Sequence, residues 1–95
     1  MITPKQRATL RSMANTMEPI FQIGKDDLSD ALIEAVASAL EKRELIKLSI
    51  LQTATVSAKE AAQAIAAETG ADIVQCIGRR FVLYRESETH KHIEL

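Results

Sequence analysis

The chain has 95 residues, of which 46% are apolar and 26% charged, with a formal net charge of −1. That balance suits one globular domain and argues against a second core, extended disorder or a membrane-spanning helix. A single cysteine, Cys76, excludes an internal disulfide and points to the cytoplasm, and 3% aromatics argue against a platform of stacked rings.

Thr3 is placed as an N-cap, with Pro4 at the first helical position and Gln6 closing a capping box. Leu10, Met13, Ala14 and Met17 recur at helical spacing and predict a buried stripe, with Arg7 and Arg11 beside it. The first 14 residues, MITPKQRATLRSMA, hold no apolar run of the secretory kind. The helix should stop before Pro19. Residues 20–23 read as a short strand and residues 24–27 as a turn. Ser29 caps the next helix, Leu28 and Ile33 form a hydrophobic staple, and Ile33, Val36, Ala37 and Leu40 face inward to about Arg43. Leu45 to Ile50 alternates as a strand: Ile46, Leu48 and Ile50 share one face, Lys47 and Ser49 the other.

Ser57 and Glu60 make a second capping box, opening an alanine-rich helix that runs to Thr69 with Gly70 as its left-handed terminator. Residues 72–77 and 80–84 form a hairpin around Gly78-Arg79, glycine first as a type II′ turn requires. Apolar residues on both faces of these strands imply central positions, or partial cover on the second face. The order α-β-α-β-α-β-β predicts an α/β fold: a two-layer sandwich with a four-stranded mixed sheet, parallel pairs across the crossovers and an antiparallel strand from the hairpin. The first helix should lie at the sheet edge or on its second face. One domain is expected over residues 1–85, followed by a polar, flexible tail over 86–95.

The charge is segregated. Residues 1–25 hold Lys5, Arg7, Arg11 and Lys25 against Glu18 alone, and residues 78–85 hold Arg79, Arg80 and Arg85 with no acid. Residues 26–77 carry four basic and nine acidic side chains. An acidic protein can still present a basic face if the two basic segments meet in space, and such a face tracks phosphates. The Gly24-Lys25 turn, between a strand and a helix N-terminus, adds backbone N–H groups and a charge suited to an anion. Asp26, Asp27 and Asp30 are read as helix-start acids rather than a magnesium site, and His90 and His92 fall short of a metal ligand set. Cys76, mid-strand among Ile73, Val74 and Ile77, reads as a buried inert thiol. No nucleotide-binding glycine motif or catalytic triad is present, so the expectation is a non-enzyme without cofactor or metal.

Four stretches carry a resemblance: TPKQRATLRSMA in the first helix, PIFQIGK with LS after the turn, ELIKL in the second strand, and TGADIVQCIGRRFVLYR at the end. Together they resemble the CRM-domain family (chloroplast RNA splicing and ribosome maturation), in particular its small free-standing bacterial YhbY-type members. The resemblance implies a fold like the C-terminal domain of translation initiation factor three, RNA binding, and association with large-subunit ribosomal precursors. It also implies a GxxG loop that clamps the RNA backbone. Gly24 matches the first glycine and Lys25 the basic residue after it, while Asp27 stands at the second glycine position. The expected RNA-contacting residues are Lys5, Arg7, Arg11, Gly24, Lys25, Arg79, Arg80 and, at the far end of the last strand, Arg85. The expected partner is ribosomal RNA, with no DNA or membrane partner, bound by a monomer. The alternative is a protein-interaction adaptor whose second helix, through acids such as Glu34 and Glu41, docks a basic partner.

Overall fold

The computed structural model describes residues 2–24 and 28–95. Among them run α1 Pro4–Ala14, β1 Phe21–Ile23, α2 Asp30–Arg43, β2 Leu45–Ile50, α3 Ala58–Thr69, β3 Asp72–Ile77 and β4 Arg80–Tyr84. The helix starts are built by local polar chemistry. Thr3 Oγ1 accepts from Gln6 N–H at 3.1 Å and Gln6 Oε1 accepts from Thr3 N–H at 2.9 Å. Ser57 and Glu60 repeat the exchange at 3.1 and 3.0 Å, and Ser29 Oγ accepts from Leu32 N–H at 3.1 Å. Each exchange satisfies N–H groups that the first helical turn leaves without partners. Gly70 ends α3 at φ 75°, and Gly78 opens the β3–β4 hairpin at φ 59° while Arg79 keeps a negative φ, the type II′ pattern.

The sheet order is β1-β2-β4-β3. β1 runs parallel to β2 across the α2 crossover, as expected. β4 is antiparallel to both β2 and β3, so the strands flanking α3 do not pair with each other. This corrects the second expected parallel pair. The cause is cover: β4, buried on both faces, takes the centre, and β3, whose last two residues are exposed, takes the edge.

One face of the sheet packs against α2 and α3. Ile23, Ile46, Leu48, Ile50, Phe81 and Leu83 meet Val36, Leu40 and Ile65 there. Alanines 58, 61 and 62 of α3 are buried in the same cluster, so that helix lies close to the strands. These are the two predicted layers. α1 takes the second-face position: Leu10 and Ala14 pack with Leu45, Val74, Val82 and Tyr84. Met17 joins that cluster, but Met13 is 42% exposed, which narrows the predicted stripe to the two residues pointing straight at the sheet.

The tail departs from expectation. It forms no helix or strand, yet Ser87 and Ile93 are buried. Two carboxylates near the end of α2 hold it. Glu44 caps α2 at φ 66°, a conformation usual for glycine, and its side chain is fully buried. That carboxylate accepts from the N–H groups of Ser87, His92 and Ile93 at 2.8, 2.8 and 2.9 Å. Glu41 accepts from the hydroxyls of Ser87 and Thr89, both at 2.7 Å, and from Thr89 N–H at 3.0 Å. Ile93 is thereby seated in the α1-side cluster.

The donors from Thr89 and Ser87 hold the Glu41 carboxyl at about 2, well below its ordinary 4.5. At Glu44 burial pushes upward, but the His92, Ser87 and Ile93 amides and the His92 ring outweigh it, and the net displacement is downward. Both folded-state values are depressed, so tail docking is fully supported above pH 4.5 and is lost as pH falls toward about 2. In an NMR titration the Thr89, His92 and Ile93 amides should move together in that acid window. Amides that stay fixed until the sheet unfolds would contradict the carboxylate-held tail.

Candidate nucleic-acid interface

The α1 face of the sheet is covered over only part of its area. Across the strands the register makes rows: Leu45, Tyr84 and Asp72; then Lys47, Val82 and Gln75; then Gln22, Ser49, Arg80 and Ile77. α1 and the tail cover the first row and Val82. The remainder is open and, apart from Ile77, polar or cationic: Arg80 and Gln22 are exposed, Lys47, Ser49 and Gln75 half-buried, and Ile77 is 65% exposed.

The predicted cations sit around this open shelf. Arg7 Nε donates to the Ile73 carbonyl of β3 at 3.4 Å, which lays α1 against the sheet's outer strand. Arg11 is exposed one turn further along, in the last turn of α1. Asn15, the C-cap of α1, meets Lys47, Gln75, Ile77 and Arg80 around a cleft of about 180 Å³. Arg79 stands at the hairpin tip, where its carbonyl accepts from Ile50 N–H at 2.7 Å. Leu51 N–H donates to the Ile23 carbonyl at 2.8 Å, so Gly24 and Arg79 flank the same end of β2. A Cβ on Gly24 would meet Leu51 Cδ1 at 3.4 Å and Thr53 Oγ1 at 3.5 Å, ordinary contacts, so internal packing does not demand glycine there. Lys25, with Asp26 and Asp27, lies outside the described residues.

Two predicted residues stand apart. Lys5 is exposed in the first turn of α1, whose neighbours Ile2 and Gln6 line a depression with Asp72 and Tyr84 at the opposite end of the sheet. Arg85 is not brought to the shelf. Its guanidinium donates to the carbonyls of Thr69 at 2.9 Å and Ala37 at 3.0 Å and lies 3.8 Å from Glu41, tying β4 to both α2 and α3. Lys47 was missed as a site residue. The alternation of β2 already set it on the face away from α2 and α3. What the sequence did not reveal was that α1 stops short of it.

The ion pairs among the described residues are Arg85–Glu41, Lys91–Glu86 and His92–Glu44, all involving the tail or α2. None draws on Arg7, Arg11, Lys47, Arg79 or Arg80, so these cations keep their charge available to a ligand. The adaptor surface loses one of its two acids, because Glu41 is engaged by Ser87 and Thr89. Among the described residues no helix is long and apolar enough to cross a membrane.

Cys76 is exposed, a correction to the buried thiol expected from its apolar neighbours. The register shift between Ile73 and Gln75 places it opposite Phe81 on an edge strand, where it shares a surface depression with Lys59 and Gln63. The folded protein should therefore react with one equivalent of a thiol reagent such as Ellman's without denaturant. Reaction only after unfolding would contradict this placement.

A family model described as the CRS1 / YhbY (CRM) domain matches residues 2–85. A Bacillus subtilis protein named "Probable RNA-binding protein YqeI" is 45% identical over 100% of this chain and 99% of its own. A Haemophilus influenzae protein named "RNA-binding protein" is 32% identical over 95% of this chain and 91% of its own. A Staphylococcus aureus protein, whose solution structure is described in terms of RNA binding, superposes with a TM-score of 0.82 at 44% identity, covering 100% of this chain and 99% of that one.

Proposed function

This chain belongs to the CRS1/YhbY (CRM) domain family, and from that membership we propose that it is an RNA-binding protein acting in assembly of the large ribosomal subunit, on its precursor RNA. RNA binding is supported by the family and by the names of the relatives. The observation that carries the site is the set of unpaired cations on one face. Arg7 and Arg11 on α1, Lys47 and Arg80 on the sheet, and Arg79 at the hairpin border a shelf, and among the described residues none of them is in an ion pair with an acid of the protein. Their arrangement suits a polyanion: each cation neutralises one phosphate and releases a condensed counterion. Lys25 is proposed to extend the same contact from the loop after β1, and Gly24 to let the RNA backbone come close. Lys5 would reach phosphates beyond the α1 end.

The work is recognition and positioning, not bond-making, and it calls for no metal or cofactor. The chain is proposed to act as a cytoplasmic monomer.

The test is a titration of structured large-subunit ribosomal RNA at several salt concentrations. Affinity should fall steeply with salt, and Arg79→Ala with Arg80→Ala should flatten the slope by about 1–2 and weaken binding roughly tenfold. Arg85→Lys should leave the slope unchanged. No binding near 50–100 mM salt, or a slope insensitive to the hairpin arginines, would overturn the reading.

A further inference from the structure

The cleft between the C-terminus of α1 and the β3–β4 hairpin differs from a plain phosphate-tracking strip. Its open apolar surface is Ile77, 65% exposed, beside Val82, which α1 already covers. Lys47 on β2 and Gln75 on β3 both register with Val82, one strand away on either side. Two strand spacings put these walls about 10 Å apart, wide enough for one flat heterocycle and too narrow for a duplex. Ile77 and Arg80 form the next row, paired across β3 and β4. Asn15 closes the end under α1. The chemistry is thus sorted within a single opening: two cations, two carboxamides and one exposed apolar side chain.

The geometry points to this cleft as the seat of a single unpaired nucleotide within the bound RNA, which makes the protein selective for RNA with a bulged or looped-out base. The inference rests on the RNA-binding reading and adds to it the structural class of RNA. A flipped-out base would lie against Ile77. The carboxamides of Gln75 and Asn15, each offering donors and an acceptor, would meet its polar edge. Lys47 and Arg80 would take the flanking phosphates. Aliphatic side chains here serve where RNA-binding sheets often present aromatic rings, in keeping with a chain whose only aromatics are Phe21, Phe81 and Tyr84. In a continuous duplex the bases stay stacked and cannot enter. Such RNA meets the cations, Lys47 included, but gains nothing from Gln75 and Asn15, so charge alone cannot distinguish it from the preferred form.

The experiment compares two hairpin RNAs, one with a single bulged 2-aminopurine and one fully paired. The full chain should bind the bulged hairpin at least about fivefold more tightly, with a change in 2-aminopurine fluorescence as the base leaves water for the cleft. Gln75→Ala and Asn15→Ala should each bring the two affinities within about twofold of each other, with the salt slope unaltered. Lys47→Gln should instead flatten the slope by about 1 for both RNAs. A circular dichroism melt on each variant checks that the fold is kept. If both hairpins bind equally and Gln75→Ala changes nothing, the nucleotide seat is overturned while RNA binding stands. If neither hairpin binds at low salt, the RNA-binding reading itself fails.

Discussion

The position of α1 on the sheet decides what the rest of the molecule can present. Leu10 and Ala14 drive it onto Leu45, Val74, Val82 and Tyr84. Burial of a leucine side chain alone contributes about 1.5–3 kcal/mol, so this docking is a substantial part of a small domain's stability. α1 reaches β2, β4 and β3 at the end marked by Leu45, Tyr84 and Val74 and stops at Ala14, short of Lys47 and of the row of Ser49 and Arg80. The uncovered remainder has to tolerate water. Lys47, Ser49, Gln75 and Arg80 meet that requirement and, in doing so, form a cationic shelf. Arg7 and Arg11, flanking the buried stripe, are delivered to its border by the same docking.

The tail completes the covered half. Glu44 adopts a positive-φ backbone conformation at the end of α2, and its buried carboxylate becomes the acceptor for three N–H groups of the segment that follows β4. A fully buried carboxylate without donors would be strongly unfavourable, and a polar tail without acceptors would stay in solvent. Each supplies what the other lacks. The outcome is that Ile93 seals the apolar patch beside Leu45 and Tyr84. Arg85 belongs to this half as well, because its guanidinium is spent on helix-end carbonyls.

The elements were largely legible because their signals are local. Capping boxes at Thr3 and Ser57, the terminator at Gly70 and the turn at Gly78 each depend on residues within four positions, and the structure places them as read. The expectation that Arg7, Arg11, Arg79 and Arg80 serve one surface rests on charge segregation together with the family resemblance. What the sequence did not reveal depends on distant partners. The central place of β4 follows from which strand finds cover on both faces. Exposure of Cys76 follows from its edge strand, and exposure of Met13 from the roll of α1. Docking of the tail needs Glu44 to meet residues more than forty positions away. Lys47 joins the site only because a helix from the start of the chain ends beside it.

The most direct measurement is amide chemical-shift mapping by NMR with a structured ribosomal RNA fragment added to the folded protein. The account predicts that the largest changes fall on α1 around Arg7 and Arg11, on Lys47 and on residues 75–80, while the exposed sides of α2 and α3 stay still. Changes centred on α2 and α3, with the shelf untouched, would contradict it.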